Sequence, residues 1–178
     1  MFDTCDTSVI CIDVQEKLVK MLNNADLIAQ NCAKLMKTAS ILDVDTIVTE
    51  QYPKGLGETI DLIKSIKKFA TIEKTTFSIL KDSKFYDIFK KLNNKNIIIF
   101  GIESHICILQ SVIDLIECGY NVFVVEDCCA SRNKENHKIA MELMKQKGAN
   151  IITLEIALFN FLKSSKHPNF KEIQQLIK

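Results

Sequence analysis

Short apolar runs alternate along this chain with stretches whose apolar residues recur at helical spacing. Residues 7–12 form a first run, Thr-Ser-Val-Ile-Cys-Ile, closed by Asp13. Over residues 15–42, Leu18, Met21, Leu22, Ile28, Cys32, Leu35, Met36 and Ala39 keep near-helical spacing, with Asn23-Asn24 as an interruption. Further apolar runs at 46–49, 70–73, 96–100, 121–125 and 150–154 read as strands. Helices are predicted over 83–92, 107–116, 133–147 and 155–162, with a last short one after Pro168. Pro53, Gly55 and Gly57 mark a loop. Gly119 and Gly148 end the helices before them. Strands alternating with helices predict a three-layer α/β fold: a doubly wound, six-stranded parallel sheet with helices on both faces. No repeat or linker interrupts the pattern, so residues 1–178 are expected to be one domain.

Composition narrows the classes. Acidic and basic residues nearly cancel, to a formal net charge of +1, and no basic block marks a nucleic-acid surface. No apolar run is long enough to cross a bilayer, and the start reads as neither a secretory signal nor a transit peptide. The seven cysteines are odd in number and contain no Cys-x-x-Cys pair. Reduced thiols and a cytoplasmic location are the expectation.

In open α/β sheets, ligand groups gather at the carboxyl ends of the strands. The polar residues there are Asp13, Glu50-Gln51, Lys74, Cys107 and Asp127. Cys107 ends Gly-Ile-Glu-Ser-His-Ile-Cys, between an apolar strand and a helix. Backbone N–H groups and the helix dipole favour a thiolate there, so Cys107 is expected to be the most reactive thiol. Asp13 is a candidate proton-transfer group, although an aspartate after a strand also fits a helix N-cap. Lys74 would favour both anions by charge. N–H groups around Glu103 and Cys107 are candidate oxyanion donors. A strand order of 3-2-1-4-5-6 makes strands 1 and 4 neighbours and brings these groups together.

Three segments carry a family resemblance: Ile12-Asp13-Val14-Gln15, Lys74-Thr75-x-Phe77-Ser78 and Gly101-Ile102-Glu103-x-x-x-Cys107. In order and spacing they resemble the signatures of the isochorismatase-like cysteine hydrolases. Thr49-Glu50-Gln51-Tyr52-Pro53-Lys54-Gly55-Leu56-Gly57 and the tail from His167 are similar to the subgroup of isochorismatase domain-containing proteins. The resemblance implies a triad of Asp13, Lys74 and Cys107 and a thioester intermediate, formed from a small amide or related carbonyl compound. It also implies a cis peptide at Ile102-Glu103, with Ile102, Glu103 and Cys107 building the oxyanion site, and assembly into a homo-oligomer. Nicotinamidases of the family carry an Asp-x-His…His metal site after the second strand. Here Glu50-Gln51-Tyr52 stand there without a nearby histidine, so neither a metal nor any other cofactor is expected. Gln15, Gln51, Tyr52, Phe77 and Arg132 are candidate pocket residues, Arg132 as a bidentate clamp for a substrate carboxylate or as the partner of a neighbouring acid. Two other classes stand behind the hydrolase: a catalytically idle interaction module of the same fold and, last, a nucleic-acid-binding protein. No membrane partner is expected.

Overall fold

The computed structural model describes residues 1–66 and 69–178. Its strands are β1 (Thr7–Ile12), β2 (Asp45–Gln51), β3 (Ala70–Lys74), β4 (Asn96–Ile102), β5 (Asn121–Ala130) and β6 (Asn150–Ile152). All pair in parallel, in the order β3-β2-β1-β4-β5-β6. This is the predicted doubly wound order. Such strands are covered on both faces, which is why β1 and β4 are buried along their whole length and read as unbroken apolar runs.

The helices are α1 (Glu16–Lys20), α2 (Ala25–Ile41), α3 (Pro53–Leu56), α4 (Asp61–Lys64), α5 (Ser83–Phe89), α6 (Leu109–Glu117), α7 (Lys134–Gln146), α8 (Leu154–Leu162) and α9 (Phe170–Gln175). Helix α2 packs on β1, β2 and β5 and carries α1, α4 and α8 beside it. On the sheet's other face α6 packs on β5 and against α7, while α5 packs on β3. Leu35 and Met36 of α2, Ile97, Ile99 and Phe100 of β4, and Phe85 of α5 belong to one continuous core without solvent contact worth the name.

Several bounds differ from the sequence reading. The segment after β2 contains one helical turn, α3, rather than loop alone. Helix α4 has only four residues, too few to show a period. Strand β5 continues five residues beyond the predicted 125, to Ala130. Asp127 therefore lies inside the strand, and its Oδ1 accepts the Leu154 N–H (2.7 Å) instead of facing the site. Strand β6 stops at Ile152 because Thr153 caps α8, its Oγ1 accepting from Ile156 N (3.4 Å).

Register then places the polar groups. Ile12 lies beside Thr49 on β2 and Gly101 on β4, and Gln51 lies beside Lys74. Gly101 has φ +132°, and a Cβ there would come within 1.9 Å of the Ile12 carbonyl oxygen. Only glycine lets β4 approach β1 at this point.

Candidate active site

Asp13 follows β1 with a left-handed φ of 52° and is fully buried. It does not cap α1, whose N-cap is Gln15. Its N–H donates to Thr49 O (3.1 Å), and Thr49 Oγ1 donates to its Oδ1 (2.7 Å). Its Oδ2 accepts from Lys74 Nζ at 2.6 Å, an ion pair with both side chains inaccessible to solvent. Lys74 closes β3 and reaches across the end of β2. Besides Asp13, its ammonium has Gln51 Oε1 at 2.7 Å, Thr76 O at 3.2 Å and Cys107 Sγ at 3.7 Å. The far ends of β1 and β3 and the turn after β4 thus converge on one ammonium group.

Cys107 sits in a single wide helical turn, Ser104–Ile108, between β4 and α6. The peptide bond Ile102–Glu103 just before it is cis. Ile102 is fully buried and Glu103 nearly so. The resting thiol is not the thiolate that the helix start suggested. Burial, followed by the negative charge of Asp13, raises its pKa to about 12, and Lys74 only partly offsets this. At 6% exposure Cys107 is less open to reagents than Cys5 and Cys118, which are exposed. Burial and the raised pKa both count against the expectation that it is the most reactive thiol.

The expected pocket residues divide. Gln51 belongs to the centre: besides receiving Lys74, its Nε2 donates to Thr75 O (2.9 Å). Gln15 is fully buried and spent on the backbone. It donates to Gln51 O (3.1 Å) and Gly57 O (2.6 Å) and accepts from Gln51 N (2.7 Å), bolting the segment after β2 to β1. Tyr52 and Phe77 are about half exposed. Each lines a cleft beside the centre, of about 340 Å³ for Tyr52 and 360 Å³ for Phe77, and neither cleft is lined by Asp13 or Cys107. Arg132 takes the acidic-partner option: its Nε lies 3.8 Å from Glu103 Oε1, which also accepts the Arg132 N–H (3.0 Å).

Thr49, Ser104 and Ser131 belong to the surroundings of the site and were not singled out from sequence; His137, one of three histidines scattered along the sequence, joins them. Thr49 left one signal, a polar residue ending the apolar run of β2. At the place of the family's metal site, Glu50 is nearly buried and its Oε1 accepts from both Thr59 N (2.6 Å) and Thr59 Oγ1 (2.7 Å). Among the described residues, no group of three or more His, Cys, Asp or Glu side chains is placed to hold a metal ion. A carboxylate tied to Thr59, with no histidine beside it, does not fit that metal.

Comparison with known proteins agrees with the geometry. The isochorismatase domain matches residues 7–156. Isochorismatase domain-containing protein 2 of Xenopus laevis is 36% identical over 167 residues, covering 93% of this chain and 80% of that protein. Isochorismatase family protein 1A of Dictyostelium discoideum is 37% identical over 179 residues, covering 96% of this chain and 86% of its own. A solved structure described as MAR1 ribonuclease from Caenorhabditis elegans superposes with a TM-score of 0.93 at 36% identity, covering 99% of this chain and 91% of that one. With this fold, these three signatures and that span of similarity, the chain belongs to the isochorismatase family of hydrolases.

Proposed function

We propose that the chain hydrolyses a small amide or related carbonyl compound, with Cys107 as nucleophile, Asp13 as proton carrier and Lys74 as the cation between them. The observation that carries this reading is the placement of Lys74 Nζ, 2.6 Å from Asp13 Oδ2 and 3.7 Å from Cys107 Sγ, in a buried site. A buried thiol with a raised pKa attacks only if its proton leaves as the new bond forms. Asp13, whose charge acts on the thiol, is the acceptor.

In the first half-reaction the Sγ–H proton passes to Asp13 as Sγ bonds the carbonyl carbon. The tetrahedral adduct collapses, the C–N bond breaks, and the amine departs with the proton from Asp13. A thioester remains. Water then attacks it, giving a proton to Asp13. The C–S bond breaks, the acid leaves, and Asp13 returns the proton to sulfur. Overall, amide and water become acid and amine. N–H groups of the turn from Ile102 to Cys107 are the proposed donors to the oxyanion.

A screen of small primary amides, read by ammonia release, tests this. Turnover is expected from the native chain and not from Cys107→Ala. Ammonia release that survives Cys107→Ala would overturn the reading. The ribonuclease description of the Caenorhabditis elegans relative supports a second reading, RNA cleavage. A labelled single-stranded RNA belongs in the same screen, and its cleavage with no amide turnover would favour that alternative.

A further inference from the structure

The turn that carries Cys107 is fastened by three consecutive side chains to one segment of chain, residues 131–137. Glu103 Oε1 accepts the Arg132 N–H at 3.0 Å. Ser104 Oγ lies 2.8 Å from His137 Nδ1. His105 Nδ1 lies 2.9 Å from Ser131 Oγ. The extension of β5 makes this possible. After an irregularity between Ile99 and Gly101, β4 and β5 resume pairing at Gly101–Cys129 and Ile102–Ala130, which delivers Ser131 alongside the turn. Asn133 then starts α7, its Oδ1 accepting from Glu135 N (2.8 Å) and Asn136 N (3.3 Å), and α7 packs against the turn and presents His137 to it.

Of the three links, the one through Ser104 is the most demanding. Ser104 is fully buried. A buried hydroxyl needs an acceptor, and the neutral imidazole of His137 offers one at Nδ1. Burial lowers the pKa of His137, against a smaller opposing effect of Glu126, and so favours that neutral form. Neither residue is among the groups around Lys74.

We infer that His137 is a positioning residue: through Ser104 it fixes the turn that holds the Cys107 thiol in its buried place beside Asp13 and Lys74. The inference rests on Cys107 being the nucleophile proposed above. Removing either partner breaks the link between the turn and α7, and the turn loosens toward water. The thiol then gains solvent and loses part of the desolvation that keeps it protonated.

The test uses the full chain and limiting iodoacetamide, with the Cys107 and Cys118 peptides quantified by mass spectrometry across a pH series. His137→Ala is expected to speed Cys107 alkylation at neutral pH on the order of tenfold, the result of a ~2-unit fall in thiol pKa offset by the lower nucleophilicity of the more acidic thiol. Cys118 labelling stays unchanged as the internal reference. His137→Asn, whose Oδ1 can stand in for Nδ1, should restore the native profile. Ser104→Ala should match His137→Ala, and the double variant should add nothing. An unchanged Cys107 profile in His137→Ala would overturn the inference, as would effects that multiply in the double variant. Should His137→Ala not fold, Ser104→Ala and His137→Asn decide alone: native alkylation in Ser104→Ala, or a Cys107 profile in His137→Asn unlike the native one, overturns it. Amide turnover that survives Cys107→Ala would remove the nucleophile assignment. The alkylation cycle would still report whether His137 and Ser104 hold the turn.

Discussion

Asp13→Asn should drive two properties of Cys107 in opposite directions. In the native site the carboxylate raises the thiol pKa, second only to burial, and Lys74 pulls the other way. The variant removes the negative charge and leaves the ammonium, 3.7 Å from Sγ, without its 2.6 Å counter-ion. A like charge at roughly 4 Å opposes a thiolate by about 4 kcal/mol at an effective dielectric constant of ~20. That bounds the fall in pKa at ~3 units. The thiolate fraction at neutral pH would rise by up to ~10³, and a nucleophilicity exponent of about 0.5 returns half of that on the logarithmic scale, for a net rise of up to ~30-fold in alkylation rate. Amide hydrolysis should fall by ~10² or more, because the proton carrier is gone. The assay is iodoacetamide labelling mapped to the Cys107 peptide, with the exposed Cys5 and Cys118 as references. Breaking one side of a buried ion pair costs about 3–5 kcal/mol, so a urea melt must first show that the variant is folded under assay conditions. Alkylation of Cys107 that is unchanged or slower would refute the assigned electrostatics. Turnover that survives would remove Asp13 from the mechanism.

Lys74→Ala should slow Cys107 alkylation at neutral pH relative to Lys54→Ala, since Lys74 lowers the thiol pKa; equal rates in the two variants would show that the cation does not act on sulfur. Gly101→Ala should lower stability by about 3 kcal/mol or more in a urea melt, because the methyl group meets the Ile12 backbone, whereas Gly148→Ala, with open space around it, should cost only about 1 kcal/mol. Stability should also decline in alkali. The buried thiols of Cys11, Cys107, Cys128 and Cys129 all have raised pKa values, so above a pH of ~9 the unfolded chain loses protons that the folded chain keeps. Each such thiol subtracts about 1.4 kcal/mol per pH unit until its folded pKa is reached, a slope measurable by urea melts under reductant; a flat profile between ~9 and ~11 would contradict the burial assigned to these groups. Amide turnover should survive prolonged chelation, because Glu50 is committed to Thr59; a loss restored by a divalent metal would overturn that prediction.

Much of the fold was legible because strands buried on both faces leave uninterrupted apolar runs, as in β1 and β4. The strand order then juxtaposes Asp13, Lys74 and Cys107. What local pattern does not record is how far a strand continues once its polar residues find partners. Glu126 and Asp127 looked like the end of β5, yet Asp127 is taken up by the Leu154 N–H and the strand runs on. Gln15 offers a similar lesson: its partners, Gln51 and Gly57, are remote in sequence, so its commitment to the backbone is visible only in three dimensions. The charge state of Cys107 was misjudged for the same reason. The helix start lies next to it in sequence, whereas burial and Asp13, which raise the thiol pKa, come from elsewhere in the chain.

The ammonium of Lys74 has three hydrogens and four acceptors within reach: Asp13, Gln51, the Thr76 carbonyl and the Cys107 sulfur. At least one acceptor must share. In the proposed first step a single negative charge leaves Asp13 and passes by way of sulfur, beside the same cation, to the substrate oxygen. The charge of the enclosed site is therefore conserved while its location changes. Redistribution of hydrogens around one nitrogen can follow that displacement without bringing water in to solvate a new ion. A lysine placed in this way acts as an internal solvent for the transferred charge, which lets the thiol remain buried and unreactive until a substrate carbonyl arrives to receive it.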